Sequence, residues 1–331
     1  MAVPTTSINT RIVVDFETAV QGVVKTTTPS PKGRKIACSE TIDKTKGLEQ
    51  PDELRSDPNP QDFVPGDVNV AGDLTLAPSI ITAPFFLQWF TNSYGAATGT
   101  GPYVRTGKMT GGVLKTICME KGALDQTTPQ YQLFRGLAAK SFSGDFKATG
   151  LLKWKFGVVG MEADAVTTTP YDATVDDWET GGKFHHAMIA LSGVKIGGSN
   201  VAYILNGSWN CERTIVMEDR PVGGGGVLAS LPGGRFNASG NLAFKYSDST
   251  VTTLIQSGAA SSLELIWTYS ASPAYKLSMK WARVFFEYAG PKKVKDGLVD
   301  LATNWHASYD DTDLTSFSWG CDNATADAEY A

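Results

Sequence analysis

Histidine is nearly absent, with 3 in 331 residues. His185 and His186 are adjacent and cannot share a helix face, and no H-E-x-x-H pair exists, so zinc-dependent hydrolysis has no ligand set. Cysteine is equally sparse: Cys38, Cys118, Cys211 and Cys321 lie far apart with no C-x-x-C spacing, which reads as buried free thiols rather than a metal or redox site. No run of about 18 apolar residues exists to cross a bilayer as a helix. The opening "MAVPTTSINTRIVV" has no basic start followed by an apolar stretch, so no secretory signal is expected and folding in a cytoplasm is. There is no G-x-S-x-G elbow and no G-x-x-x-x-G-K phosphate loop. "GGGGVLA" (223–229) fits G-x-G-x-x-A in letters. Pro232, Gly233 and Gly234 would cut off the helix a dinucleotide site needs, so a flexible loop is expected. "DDTD" (310–313) lacks the Gly and terminal Glu of a calcium loop. No catalytic residue, cofactor or metal is expected.

Charge of either sign is unconcentrated. The formal net charge is −5 and the basic residues are scattered, which excludes the clustered Lys and Arg of a nucleic-acid-binding face. The densest basic run, "PKKVK" (291–295), reads as a solvated loop. Sustained helical periodicity is also missing, while 34 glycines and long Thr/Ser-rich stretches favour strands and turns.

Strand-like alternation is what the chain does have. It recurs in Ile12, Val14 and Phe16; in Val113, Lys115, Ile117 and Met119; in Leu152 to Val158; in Val201, Tyr203 and Leu205; and in Leu263 to Tyr269. Between Leu277 and Tyr288 the apolar parity switches, which predicts a β-bulge near Ala282.

A repeat runs through this pattern. "GDVNVAGDLTLA" from Gly66 aligns without gaps to "GRFNASGNLAFK" from Gly234, matching Asn69 to Asn237, Gly72 to Gly240 and Leu74 to Leu242. "FLQ" (86–88) then falls on "LIQ" (254–256), "YQL" (131–133) corresponds to "YKL" (275–277), and Cys38, Thr41 and Ile42 to Cys211, Thr214 and Ile215. Each copy reads as strand, loop, strand, short helix, further strands. Thr82 is the expected cap of the first helix, with Pro84 in its first turn; Ser249 or Thr250 caps the second and Gly258 stops it. The acidic, Thr-rich stretch 160–184 reads as a linker or a loop over the surface. The expected division is 1–165, a linker at 166–190, and 191–331.

The "SET" segment (39–41), "DELRSD" (52–57), the Gly-started strand pair "VNVAGDLTL" and the short helix after it resemble the N-terminal half of tail tube proteins of long-tailed bacteriophages. "YQLFRGLAAKSFSGDFKATGLLKWKFGVVG" (131–160) is similar to the middle of that family, and "GVKIGG" followed by "GSWNCERTI" to its later half. The resemblance covers roughly residues 35 to 310. It departs at Trp281, where a proline is expected in relatives.

What the resemblance implies is an all-β sandwich with short flanking helices, whose strands join those of neighbouring copies in a central β-barrel around a channel. It implies a structural virion protein of the phage tail, assembled in the host bacterial cytoplasm. Its partners are further copies of itself in stacked rings, tape measure, terminator and tip proteins, and phage DNA that passes without specific binding. Two tube domains per chain give three chains per pseudo-sixfold ring, and one gives six. The lining of such a channel is expected to carry excess Asp and Glu, since lysine and arginine would hold DNA. Asn69, Gly72, Leu74, Asn237, Gly240 and Leu242 are the expected tube-strand positions. Glu53, Arg55, Asp57 and Asp62, on the proline-punctuated loop 51–66, are the expected arm between subunits.

Two rivals compete. One is a virion β-protein that does not polymerise, such as a terminator, fibre or adhesive domain. The other is a carbohydrate-binding or carbohydrate-active sandwich, suggested by 8 tryptophans and 11 tyrosines and requiring exposed aromatics in a cleft.

Overall fold

The computed structural model describes residues 10–26, 30–50, 62–93, 95–99, 102–147, 150–178, 193–201, 204–222, 225–245, 249–271, 274–287, 292–293 and 299–323. The first part of the chain forms β1 (Thr10–Phe16), β2 (Arg34–Lys35), β3 (Ser39–Glu40), β4 (Asp43–Glu49), β5 (Val64–Leu76) and α1 (Thr82–Thr91). It continues with β6 (Tyr103–Lys108), β7 (Ile117–Ala123), β8 (Gln130–Lys147), β9 (Lys153–Gly160), β10 (Glu162–Ala163) and β11 (Asp176–Asp177). The second part forms β12 (Val194–Ile196), β13 (Ser199–Asn200), β14 (Ile204–Ile215), β15 (Gly233–Lys245) and α2 (Ser249–Ser257). It ends with β16 (Ser261–Ala271), β17 (Ala274–Phe286), β18 (Lys292–Lys293), β19 (Val299–Ser308) and β20 (Ser318–Asn323). The protein is all-β with short helices, as the alternating pattern predicts.

The antiparallel pairings occur in the same order twice. In the first part β4 pairs with β5, β5 with β9 and β9 with β8, while the start of β8 pairs with β7 and β7 with β1. In the second part β14 pairs with β15, β15 with β19 and β19 with β17, while β17 also pairs with β16 and β16 with β12. β8 and β17 are therefore long strands that each serve two layers. The two series join where β14 lies against the second half of β8, with Cys211 opposite Phe142. One sheet then runs β4, β5, β9, β8, β14, β15, β19, β17. The last strand, β20, returns to pair with β6 of the first part.

Register makes the correspondence residue by residue. A shift interrupts β4–β5 between Lys46 and Leu48, and a shift interrupts β14–β15 between Arg213 and Ile215. Lys44 faces Val70 as Cys211 faces Ala238, so Lys44 is the counterpart of Cys211. The alignment of Cys38, Thr41 and Ile42 with Cys211, Thr214 and Ile215 is thereby corrected: Thr41 and Ile42 correspond to Ser208 and Trp209. Short matches read across the break between β3 and β4 slipped in register. The bulge near Ala282 is present, since Ser261 faces Val284 but Leu263 faces Trp281.

α1 forms where Pro84 is tolerated in a first turn and an apolar run follows. Thr82 is its first residue rather than its cap. Ser79 Oγ accepts from the Thr82 N–H at 3.1 Å and Thr82 Oγ1 accepts from the Ser79 N–H at 2.9 Å, a reciprocal capping pair. Asn92 in the left-handed region ends α1, and Gly258 at φ 64° follows α2. Every residue of α1 is buried. Phe86 stacks on Phe156 at 5.6 Å and Phe90 meets Phe142 at 5.3 Å, each such ring stabilising by about 1.5–3 kcal/mol on burial. The core continues into the second part through Phe142 and Trp209 at 5.8 Å. Trp281, at the departure from the expected proline, is fully buried 4.9 Å from Trp305.

Residues 164–177 run as a mostly exposed loop over the surface, pinned at a few buried points. Trp178 packs on Phe85 and on the Arg34 guanidinium, and buried Asp172 accepts from the Gly33 N–H at 2.8 Å. His185 and His186 lie outside the described residues.

Candidate assembly surface

Alternation along the joined sheet divides its side chains between two faces. One holds Val70, Leu74, Phe156, Phe142, Trp209, Leu242 and Trp305 and packs in the core around α1. The other is polar, bearing Asn69, Thr75, Ser143, Asn210, Asn237, Asn241 and Asn304 at partly or fully exposed positions. Of the predicted strand positions, Asn69 and Asn237 are exposed on the polar face, and Leu74 and Leu242 are buried. Gly72 and Gly240 sit where the paired strand's backbone approaches too closely for a Cβ. Asp62 is exposed just before β5, and Glu53, Arg55 and Asp57 lie outside the described residues.

Among the described residues the polar face is close to neutral. Lys155 pairs with Asp73 at 2.8 Å and Lys147 with Asp145 at 3.1 Å. Asp43, Asp67, Glu212 and Glu287 share the face with Lys153, Arg235, Lys245 and Arg283, and Asp67 lies 3.5 Å from Arg220. Asn210 donates to Glu212 at 2.8 Å. His306 and Asn304 hydrogen-bond to Glu287 and hold its carboxyl below the usual range. Composition alone does not reveal this: a −5 net charge says nothing about which face carries it.

The sheet has two open ends. Among the described residues β4 pairs only with β5, and β17 beyond Val284 has no partner on its β16 side. Two edges of this kind on one subunit are a template for addition of further copies.

Residues 7–307 match the model of a family described as phage tail tube protein. The chain belongs to that family. A search of curated proteins finds no match. A tail tube protein is a structural component of the bacteriophage virion, and this membership carries a non-enzymatic role.

The remaining motifs fit that role. All 8 tryptophans are buried, which leaves none to form the exposed platform of a sugar site. Gly226 lies in a turn whose carbonyl accepts from the Val68 N–H at 3.2 Å, so the glycine-rich segment is tied to β5 rather than opening a helix. Asp310 in "DDTD" accepts from the N–H groups of Thr312 and Asp313, and Asp313 pairs with Lys280 at 2.6 Å. Among the described residues no three His, Cys, Asp or Glu side chains are grouped to hold a metal. The four cysteines are free; burial pushes the Cys211 and Cys321 thiols up to about 12.

Proposed function

We propose that this tail tube protein polymerises into stacked rings whose joined sheets form the wall of a channel that conducts phage DNA, in a virion tail assembled in the host bacterial cytoplasm. The observation that carries the reading is the uninterrupted sheet from β4 to β17, polar and near-neutral on one face and open at both ends. Each half of the chain contributes four strands to it: β4, β5, β9 and β8, then β14, β15, β19 and β17. The repeated pairing favours the division into 1–165 and 191–331 as tandem tube domains, and hence three chains per pseudo-sixfold ring. About 24 strands at ~4.8 Å spacing and a tilt near 40° give a backbone circumference of roughly 150 Å, or ~48 Å across, wide enough for a duplex once side chains are subtracted.

A face that mixes Asn, Ser and paired charges offers DNA phosphates few free cations to displace counterions, so the duplex slides. The segment carrying Glu53, Arg55, Asp57 and Asp62 is assigned to contacts between copies, and tape measure, terminator and tip proteins to the ends of the tube. Electron microscopy of the concentrated protein, with rotational averaging of end-on views, tests the reading. Hollow tubes with threefold density modulated toward sixfold support it. Tubes of true sixfold symmetry remove the tandem arrangement, and particles that never stack favour a non-polymerising virion protein.

A further inference from the structure

We infer that the seam between copies repeats one end of the interface by which the two halves of one chain already meet, with β4 from Asp43 onward and its flanking apolar residues of one copy seated on the end of β17 of the next. The inference rests on the tube reading and names the surfaces that would build it.

Inside the chain, β14 lies along β8. The last residue of β14 and the end of the β14–β15 connection also close over the neighbouring half. Ile215 and Leu231 are buried in one apolar cluster with Ala138 and Val159, a cross-strand pair of β8 and β9. Register gives each of these residues a counterpart at the ends of the sheet. Leu48 corresponds to Ile215 by the shared register shift, and Phe63 to Leu231 by the alignment of Gly66 with Gly234. Val158 faces Gly72 and Ala139, while Trp305 faces Gly240 and Phe286, so Phe285 and His306 correspond to Ala138 and Val159.

The counterparts differ in burial. Ile215, Leu231 and Ala138 are 9%, 0% and 1% exposed, whereas Leu48, Phe63 and Phe285 are 67%, 58% and 37% exposed. Three large apolar side chains thus stand in solvent at the positions where the internal joint buries its own. Scattered surface apolar residues need no explanation, but a set that reproduces a buried contact across two free strand edges does.

The polar partners follow the same rule. Arg213 donates to the carbonyl of Phe90 at the C-terminal end of α1. Its counterpart is Lys46, exposed and again cationic, and the C-terminal end of α2, before the left-handed Gly258 that matches Asn92, is likewise exposed. A cation there meets the unsatisfied carbonyls and negative end of the helix dipole. Glu212 lies opposite Ser141, so Thr45 of one copy falls opposite Glu287 of the next. The open edge stops at Ile42, whose outward N–H is held by Glu40 at 2.9 Å and whose carbonyl takes the Lys121 ammonium, so pairing starts at Asp43.

The occupant is therefore a second copy in head-to-tail relation, a geometry that gives a ring when the rotation between copies closes. The test is a chain carrying Thr45→Cys with Glu287→Cys, oxidised after assembly and run without reductant. A covalent ladder of chain multiples, absent from either single variant, is expected. Tubes that form normally but give no ladder overturn the seam and leave the tube reading standing. A wild-type chain that forms neither rings nor tubes removes both. Leu48→Asp is the independent arm: it should melt like wild type, because the side chain is exposed in the monomer, yet lose sedimentable polymer. Polymer yield equal to wild type overturns the seam.

Discussion

Gly72 and Gly240 occupy the same place in two hairpins. A Cβ on Gly72 would lie 2.5 Å from the Thr41 carbonyl oxygen, and one on Gly240 2.0 Å from that of Ser208. Neither backbone neighbour can swing aside as a side chain would, so the strands must separate. Gly240→Ala should cost about 3 kcal/mol or more and Gly72→Ala about 1–3 kcal/mol, the range for overpacking. Gly111→Ala, with nothing within 4 Å of its Cβ, should leave the urea midpoint unchanged. Equal midpoints for all three would contradict the close approach.

Buried Glu17 gives stability a pH dependence. Its carboxylate accepts from the N–H groups of Gly136 and Gly22, each at 2.7 Å, and from the Thr116 hydroxyl. Burial nonetheless raises its pKa above the ordinary 4.5, and burial raises Glu120 likewise. A carboxyl whose folded value is raised contributes stability that is fully present below 4.5 and lost as pH rises through the folded value. Glu17→Gln should flatten the fall of Tm above that point. Groups such as Glu287, shifted the other way, are the same in both proteins and cancel in the comparison. Parallel Tm profiles would remove Glu17 from the account.

The β class, the hairpin repeat, the bulge near Ala282 and both helices were legible because each follows from side-chain period or a local backbone rule. The true partner of Cys211 was not, because the interruption at Thr41–Ile42 breaks the period that fixes register. Nor were Leu48, Phe63 and Phe285. An apolar residue in a strand pattern reads as core until burial shows which members of a repeat have lost their cover. The near-neutral polar face was hidden for a related reason: Asp73 and Lys155 neutralise each other across two strands far apart in sequence.

Asp15 anchors β1 through charge. It is fully buried, taking Arg34 at 2.9 Å and Lys25 at 3.3 Å on one oxygen, with the Lys32 N–H and the Tyr171 hydroxyl on the other. Asp15→Ala strands a buried guanidinium and should cost about 3–5 kcal/mol. Removing both charges with Asp15→Ala and Arg34→Met should cost less than the sum of the single changes. An additive double-mutant cycle would show that the two do not interact.

If the polar face is a passive channel lining, its few carboxylates set how DNA behaves. Wild-type tubes should retain no duplex at about 0.15 M salt, because Lys147 and Lys155 are already engaged by Asp145 and Asp73. Asp73→Lys with Asp145→Lys and Glu212→Lys removes those partners and adds cations on adjoining strands, while every changed side chain remains at the surface. Such tubes should hold DNA, with log K falling against log salt by about 0.9 for each phosphate contacted. Retention by wild type equal to that of the variant would mean that the face grips rather than conducts. The decisive quantity is then the balance of paired charges on one face, which neither the net charge of the chain nor its family membership supplies.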